Sequence, residues 1–178
     1  MEVVVPEAYR YLYVQNGERP VVKIPDPVLR QRAAEVTKVS KKTQLLIDNL
    51  TRVMRKANGV GLAAPQIGVL QRVIVVAPDG GKPTAMINPR IVKSEGAFTG
   101  QEGCLSIPGL YGDVTRPAFI EVEAHDRKGK AMRYKLENME AKIVQHEIDH
   151  LDGILFIDKV DESTLHWSHP DREAAVAE

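Results

Sequence analysis

His146 and His150 stand four residues apart, with Glu147 beside the first, in the run QHEIDHL. On a helix of 3.6 residues per turn the two imidazoles project from one face, one turn apart, which suits two ligands of one metal ion. Glu147 then lies close enough to take a proton from a water on that ion without being a ligand itself. From average residue usage, such a pattern arises by chance in a chain this short at roughly the per cent level or below. The plain alternative is a solvated helical face carrying two histidines and a carboxylate. A third ligand would decide between them.

The GxxH continuation that metzincins need fails here, because Gly153 is in place but Phe156 occupies the histidine position. A downstream glutamate would have to be Glu162, Glu173 or Glu178, and the last two fall in a stretch that reads as a tail. Cys104, in QEGCLSIP, is the only cysteine. Standing alone it would read as a small buried hydrophobe. Set against two imidazoles that lack a partner, its thiolate gives a three-ligand site with one position open to water. A single cysteine closes no internal disulfide, which favours a reducing compartment.

These side chains need rigid elements to hold them. Residues 136–153 read as one helix, with Asn138 as N-cap, Glu140 in the first turn and Gly153 as a left-handed stop. A second helix runs from a Ser40 cap to Ala57, with Leu46, Leu50, Val53, Met54 and Ala57 as its buried stripe. PDP at 25–27 predicts an extended entry into a short helix over 28–36. Between them, GVGLAAPQIG at 59–68 sets three glycines around one polar side chain, Gln66. A tight structural turn and a substrate-lining loop fit it equally well. It lacks the Lys and Ser/Thr of a phosphate loop and the third glycine of a dinucleotide fingerprint.

Strands are predicted at 72–77, at 84–92 with an interruption at Asn88-Pro89, and as an antiparallel hairpin over 118–125 and 131–136. In that hairpin Ala118, Ile120, Val122 and Ala124 share the inner face, Glu121 and Glu123 the outer, and His125 is placed at the surface. The apolar 154–157 segment should pack on the metal helix. Residues 1–20 read as an edge hairpin or loose arm, and 161–178 as a loose tail. The class is α+β, with antiparallel β-sheets packed around a central helix carrying HExxH.

A chain of 178 residues is long enough for one domain with a real core. With 24 basic and 24 acidic side chains the formal net charge is zero, so composition implies no strong pull toward nucleic acid or anionic membrane. No segment is apolar over a bilayer-spanning length. These features predict a cytoplasmic protein; a processed organellar chain would read the same way.

Three segments together resemble peptide deformylase: GVGLAAPQ at 59–66, EGCLS at 102–106 and QHEIDHL at 145–151. The similarity extends from about Pro25 to Ile157 and includes PDPVLR near its start, so 1–178 is expected to be a single deformylase-like catalytic domain. The resemblance implies Cys104, His146 and His150 as ligands of one divalent ion, Fe(II) natively, with zinc, nickel or cobalt also accommodated. It implies Glu147 as general base, and Gln66 and the Leu105 backbone N–H as donors to a tetrahedral oxyanion. Gly61 would hold the substrate backbone. The implied substrates are N-formylmethionyl nascent peptides near the ribosome exit, and the products formate and a free amine.

An unbranched thioether side chain needs an apolar slot, and Val60, Met139 and Ile143 are its candidate walls; ordinary core explains them equally well. Tyr111 is a candidate for the entrance. Gln145 and Asp149 are candidate supports for the ligands, with Arg116 pairing Asp149. Two other readings are a metallopeptidase cleaving internal amides and a structural metal site in a binding module.

Overall fold

The computed structural model describes residues 1–170. Its first long helix, α1 (Lys41–Lys56), begins where the Ser40 backbone N–H donates to Thr43 Oγ1 at 3.1 Å. Ile47, Leu50, Val53 and Met54 form its buried face, while Ala57, predicted to continue that stripe, is exposed beyond the helix end. Asn58 follows with φ of 56°, in the left-handed region that stops a helix.

Five strands form an antiparallel sheet in the order β1-β2-β3-β6-β7: β1 (Gly61–Ala63), β2 (Val73–Val76), β3 (Thr84–Glu95), β6 (Phe119–His125) and β7 (Ala131–Glu137). β4 (Phe98–Cys104), β5 (Ile107–Arg116) and β8 (His166–Trp167) make a second, three-stranded sheet. The interruption anticipated at Asn88-Pro89 is a register shift in the β3–β6 pairing, with Asn88 at φ of 52°. β6 and β7 pair as foreseen from Phe119↔Glu137 to His125↔Ala131, and His125 is exposed. Glu121, assigned to the outer face, is nearly covered because Arg133 lies over it at 2.6 Å.

β2 shows why this chain needs two helices. Its Ile74 and Val76 side chains join Ala141, Ile143, Val144, Ile148 and Leu151 of α2 (Asn138–Leu151) in one core cluster. Val73 and Val75 face the other way and meet Ile47, Leu50, Val53 and Met54 of α1. A strand buried on both faces reads as an unbroken apolar run, and VIVV is one. A third cluster packs Leu155, Phe156 and Ile157 with Leu29, Cys104, Ile107 and Leu110, so the 154–157 segment is core as predicted.

Several sequence-based boundaries need correction. Leu136 pairs with Ile120 in β7, so α2 starts at Asn138. Asn138 does not cap with its side chain: its φ is 49° and its backbone N–H donates to Ala118 O at 2.7 Å, which makes it the corner between strand and helix. Gly153 does end the helix, at φ of 72°, with Gly153 N–H on His150 O and Ile154 N–H on Asp149 O. A Cβ there would also stand 2.6 Å from Arg30 O. The helix predicted over 28–36 is only a 3-10 turn, Pro27–Arg30, because the Ala33 and Ala34 N–H groups are drawn to Leu151 O and Leu70 O.

Neither end of the described chain is loose. Glu7–Tyr13 is a 3-10 helix, and Tyr9 stacks on His169 at 4.5 Å and meets Trp167 at 5.2 Å. Tyr11 hydrogen-bonds His169 Nδ1 at 3.0 Å. On the other side of this clasp, His166 and Trp167 pair with Tyr111 and Leu110 of β5. The remainder of the expected tail, 171–178, lies outside the described residues. No helix among the described residues is long and apolar enough to cross a membrane.

Candidate metal centre

β4 and α2 carry the three donors to one place. Cys104 closes β4, just past a register shift between Glu102 and Cys104, and His146 and His150 lie on the α2 face turned toward it. Cys104 Sγ is 3.4 Å from His150 Nε2, which is 3.3 Å from His146 Nε2. All three donor atoms lie within 4.8 Å of one another, and all three residues are buried. Two nitrogens about 2.0–2.1 Å from a tetrahedral ion stand about 3.4 Å apart, and a thiolate sulfur at about 2.3 Å stands about 3.6 Å from each. The Cys104–His150 and His146–His150 separations fit two sides of that triangle. Among the described residues the cluster has three donors, one fewer than a closed structural zinc site uses.

Glu147 sits beside the cluster but outside it. Its Oε1 is 3.9 Å from His150 Nε2, and the residue is fully buried. Gly61 makes room for it: a Cβ on Gly61 would stand 2.9 Å from both Glu147 Cγ and Oε2. The GVGLAAPQ stretch is therefore more than a turn, since its glycine is needed by the carboxylate.

Gln66 is fully buried on the 3-10 turn Ala64–Ile67. Its Oε1 accepts from the Ala63 N–H at 3.0 Å, which fixes the amide so that Nε2 faces Ser106 Oγ at 3.2 Å and Cys104 Sγ at 3.7 Å. Leu105, in the turn after the cysteine, is half-buried.

Glu102 carries a role that the sequence reading did not assign. Its carboxylate lies 2.8 Å from His146 Nδ1 and receives two hydrogen bonds from Arg116, at 2.7 and 2.9 Å. Burial alone would push this carboxyl up, but the hydrogen bonds from His146 and Arg116, and their charges, outweigh it and hold the group at about 2. An ionised Glu102 only accepts, so His146 donates through Nδ1, and Nε2 is the ring nitrogen turned toward the cluster. The signal was available, as a carboxylate two residues before the thiol in the same short segment.

His150 is treated differently. Its Nδ1 is buried without a hydrogen-bond partner among the described residues, and burial, followed by the charges of His146 and Arg116, drives its pKa well down. It is held neutral, the form in which an imidazole can bind a metal.

Arg116 pairs with Asp149 at 2.9 Å as the sequence suggested, and the guanidinium is buried. Gln145 donates its amide N–H groups to Pro117 O and Ala141 O, tying α2 to the link between β5 and β6, and bonds none of the three donors directly. Phe156, which stands where a metzincin would have histidine, stacks on His146 with centroids 6.4 Å apart. Ile143 is buried in the cluster against which Val60 packs, whereas Met139 is 47% exposed. Tyr111 is buried, and a Cβ on Gly103 would stand 2.7 Å from its ring.

The family model for polypeptide deformylase matches residues 18–166, which contain every donor described above. The chain belongs to the polypeptide deformylase family. A deformylase from Desulforudis audaxviator is 49% identical over 140 residues, covering 78% of this chain and 91% of that protein. One from Thermomicrobium roseum is 46% identical over 169 residues, covering 90% and 96%. Among solved structures, the deformylase of Synechococcus elongatus in complex with actinonin is similar with a TM-score of 0.78 at 39% identity, covering 80% of each chain. Peptide deformylases are metal-dependent hydrolases, and the thiol and two imidazoles found here are a donor set for such an ion.

Proposed function

We propose that this chain removes the N-terminal formyl group from formylmethionyl nascent polypeptides, releasing formate and a free amine. The observation that carries the reading is the convergence of Cys104, His146 and His150 with the Glu147 carboxylate set against them but outside the donor cluster. Cys104, His146 and His150 would hold one divalent ion, Fe(II) as the native choice, with zinc, nickel and cobalt compatible with a thiolate and two imidazoles. Bound there, such an ion supplies Lewis acidity and lowers the pKa of a water from 15.7 toward about 7.

The chain's own groups do the rest. Glu147 takes the proton of the attacking water as oxygen adds to the formyl carbon, and delivers it to the amine nitrogen as the C–N bond breaks. Gln66 Nε2 and the Leu105 backbone N–H donate to the oxyanion that develops on the formyl oxygen. One such donor is worth about 2.7–4 kcal/mol of barrier. Gly61 holds the peptide backbone by main-chain contacts, and Val60, Ile143 and Met139 line the slot for the thioether. Substrate would be met in the bacterial cytoplasm, near the ribosome exit.

Formate release from formyl-Met-Ala, measured beside casein cleavage with anaerobically purified protein, tests this. Formate without casein products is expected. Casein cleavage without formate would replace the reading with an internal metallopeptidase.

A further inference from the structure

The segment matched by the family begins at residue 18 and ends at 166, yet described residues on both sides of it are ordered and pack on each other. The clasp of Tyr9 and Tyr11 with His169 brings Leu12, from before the matched segment, and Pro170, from after it, to one cavity of 300 Å³. Its other walls include Val53 near the end of α1 and Leu105, the residue next to Cys104. Leu105, which the proposed function makes an oxyanion donor through its backbone N–H, is thus also a wall of this cavity. Its volume is at the low end of the range for ligand-binding clefts, roughly 300–1,000 Å³.

Its charged lining is one-sided. Arg19, Lys23 and Lys56 stand against a single carboxylate, Glu18. Arg19 is tied to Tyr11 O at 2.8 Å and Lys23 to Val21 O at 2.6 Å, so both cations are held in place. The Lys56 side chain makes no hydrogen bond or ion pair among the described residues. Tyr13, in the same arm, has a buried hydroxyl without a hydrogen-bond partner among the described residues.

We propose that Leu12 and Pro170, from either side of the family-matched segment, help build a subsite for the peptide residues that follow the formylated one, apolar in its walls and selective for acidic over basic side chains. This rests on the deformylase reading and extends it. Continuity and charge favour this occupant: Leu105 lines the cavity and directly follows Cys104 in the chain, and three cations oppose one carboxylate. Leu12 and Pro170 supply walls that the family-matched segment does not contain.

The test uses the full chain and C-terminally amidated peptides, so that no terminal carboxylate competes. kcat/KM for formate release is measured on formyl-Met-Ala-Leu-Glu, formyl-Met-Ala-Leu-Lys and, as reference, formyl-Met-Ala. Partly exposed charges at this range should favour the Glu peptide over the Lys peptide about three- to tenfold, less at high salt. Lys56→Glu should erase or reverse that preference. Ala57→Trp, at an exposed position lining the cavity, should lower the ratio of either tetrapeptide to the dipeptide about tenfold. Preferences and ratios unchanged in both variants would overturn the subsite. Absence of formate release from all three peptides would overturn the deformylase reading and the subsite with it.

Discussion

His146 Nδ1 and Glu102 Oε1 lie 2.8 Å apart, both residues buried, and this contact decides which imidazole nitrogen faces Cys104. A carboxylate behind a ligating histidine typically changes metal affinity about 10–100-fold. Glu102→Gln keeps the shape and removes the charge, so metal affinity should fall within that range, read by competition with a chromophoric chelator. Unchanged affinity would show that Glu102 serves only Arg116.

Arg116 holds Glu102 and Asp149 at once from a buried position. Arg116→Ala leaves a buried carboxylate without its cation, which typically costs about 3–5 kcal/mol. Thermal unfolding should drop by roughly 10 °C, using about 2–4 °C per kcal/mol for a chain of this size. Arg30→Ala breaks a pair with Asp158 that is 43% and 32% exposed, and should cost about 1 kcal/mol or less. Equal losses in the two variants would contradict the buried network.

The same contact sets a pH dependence. Glu102 lies at about 2 in the folded chain against 4.5 ordinarily, so the folded state favours the ionised form. Its stabilisation is complete above 4.5 and is lost as pH falls toward about 2. Urea unfolding of chelator-treated protein should show the gap between wild type and Glu102→Gln shrinking across that window as pH is lowered. A gap that widens on acidification would reverse the sign and refute the assignment.

How much of this was legible in the sequence depends on the kind of constraint. The helix carrying His146 and His150, its stop at Gly153 and the VIVV strand follow from local periodicity and turn chemistry, and they stand as read. The start of α2 was misplaced because Asn138 is held by Ala118 O, a partner distant in sequence. The ends were misread for the same reason: Tyr9 and Tyr11 are ordered by His169 and Trp167, a pairing that no local pattern encodes. Glu102 stands in the EGCLS motif, but nothing local gives it a role, since only the fold brings it against His146 and Arg116.

Gly61 and Glu147 offer a steric test. A Cβ at Gly61 would overlap the Glu147 side chain at 2.9 Å, so Gly61→Ala should displace the carboxylate while leaving the three donors in place. kcat should fall about 10²-fold, the scale for a misplaced general base, with metal content retained. Retained kcat would mean that Glu147 does not act from this position.

In the proposed function Cys104, His146 and His150 hold the ion while Glu147 moves the proton. Metal content and formate release from formyl-Met-Ala, measured together on Glu147→Ala, separate these two roles. Metal bound as in the wild type, with turnover lowered at least about 10²-fold, is the predicted result. Loss of the metal along with activity, or full turnover without the carboxylate, would contradict it.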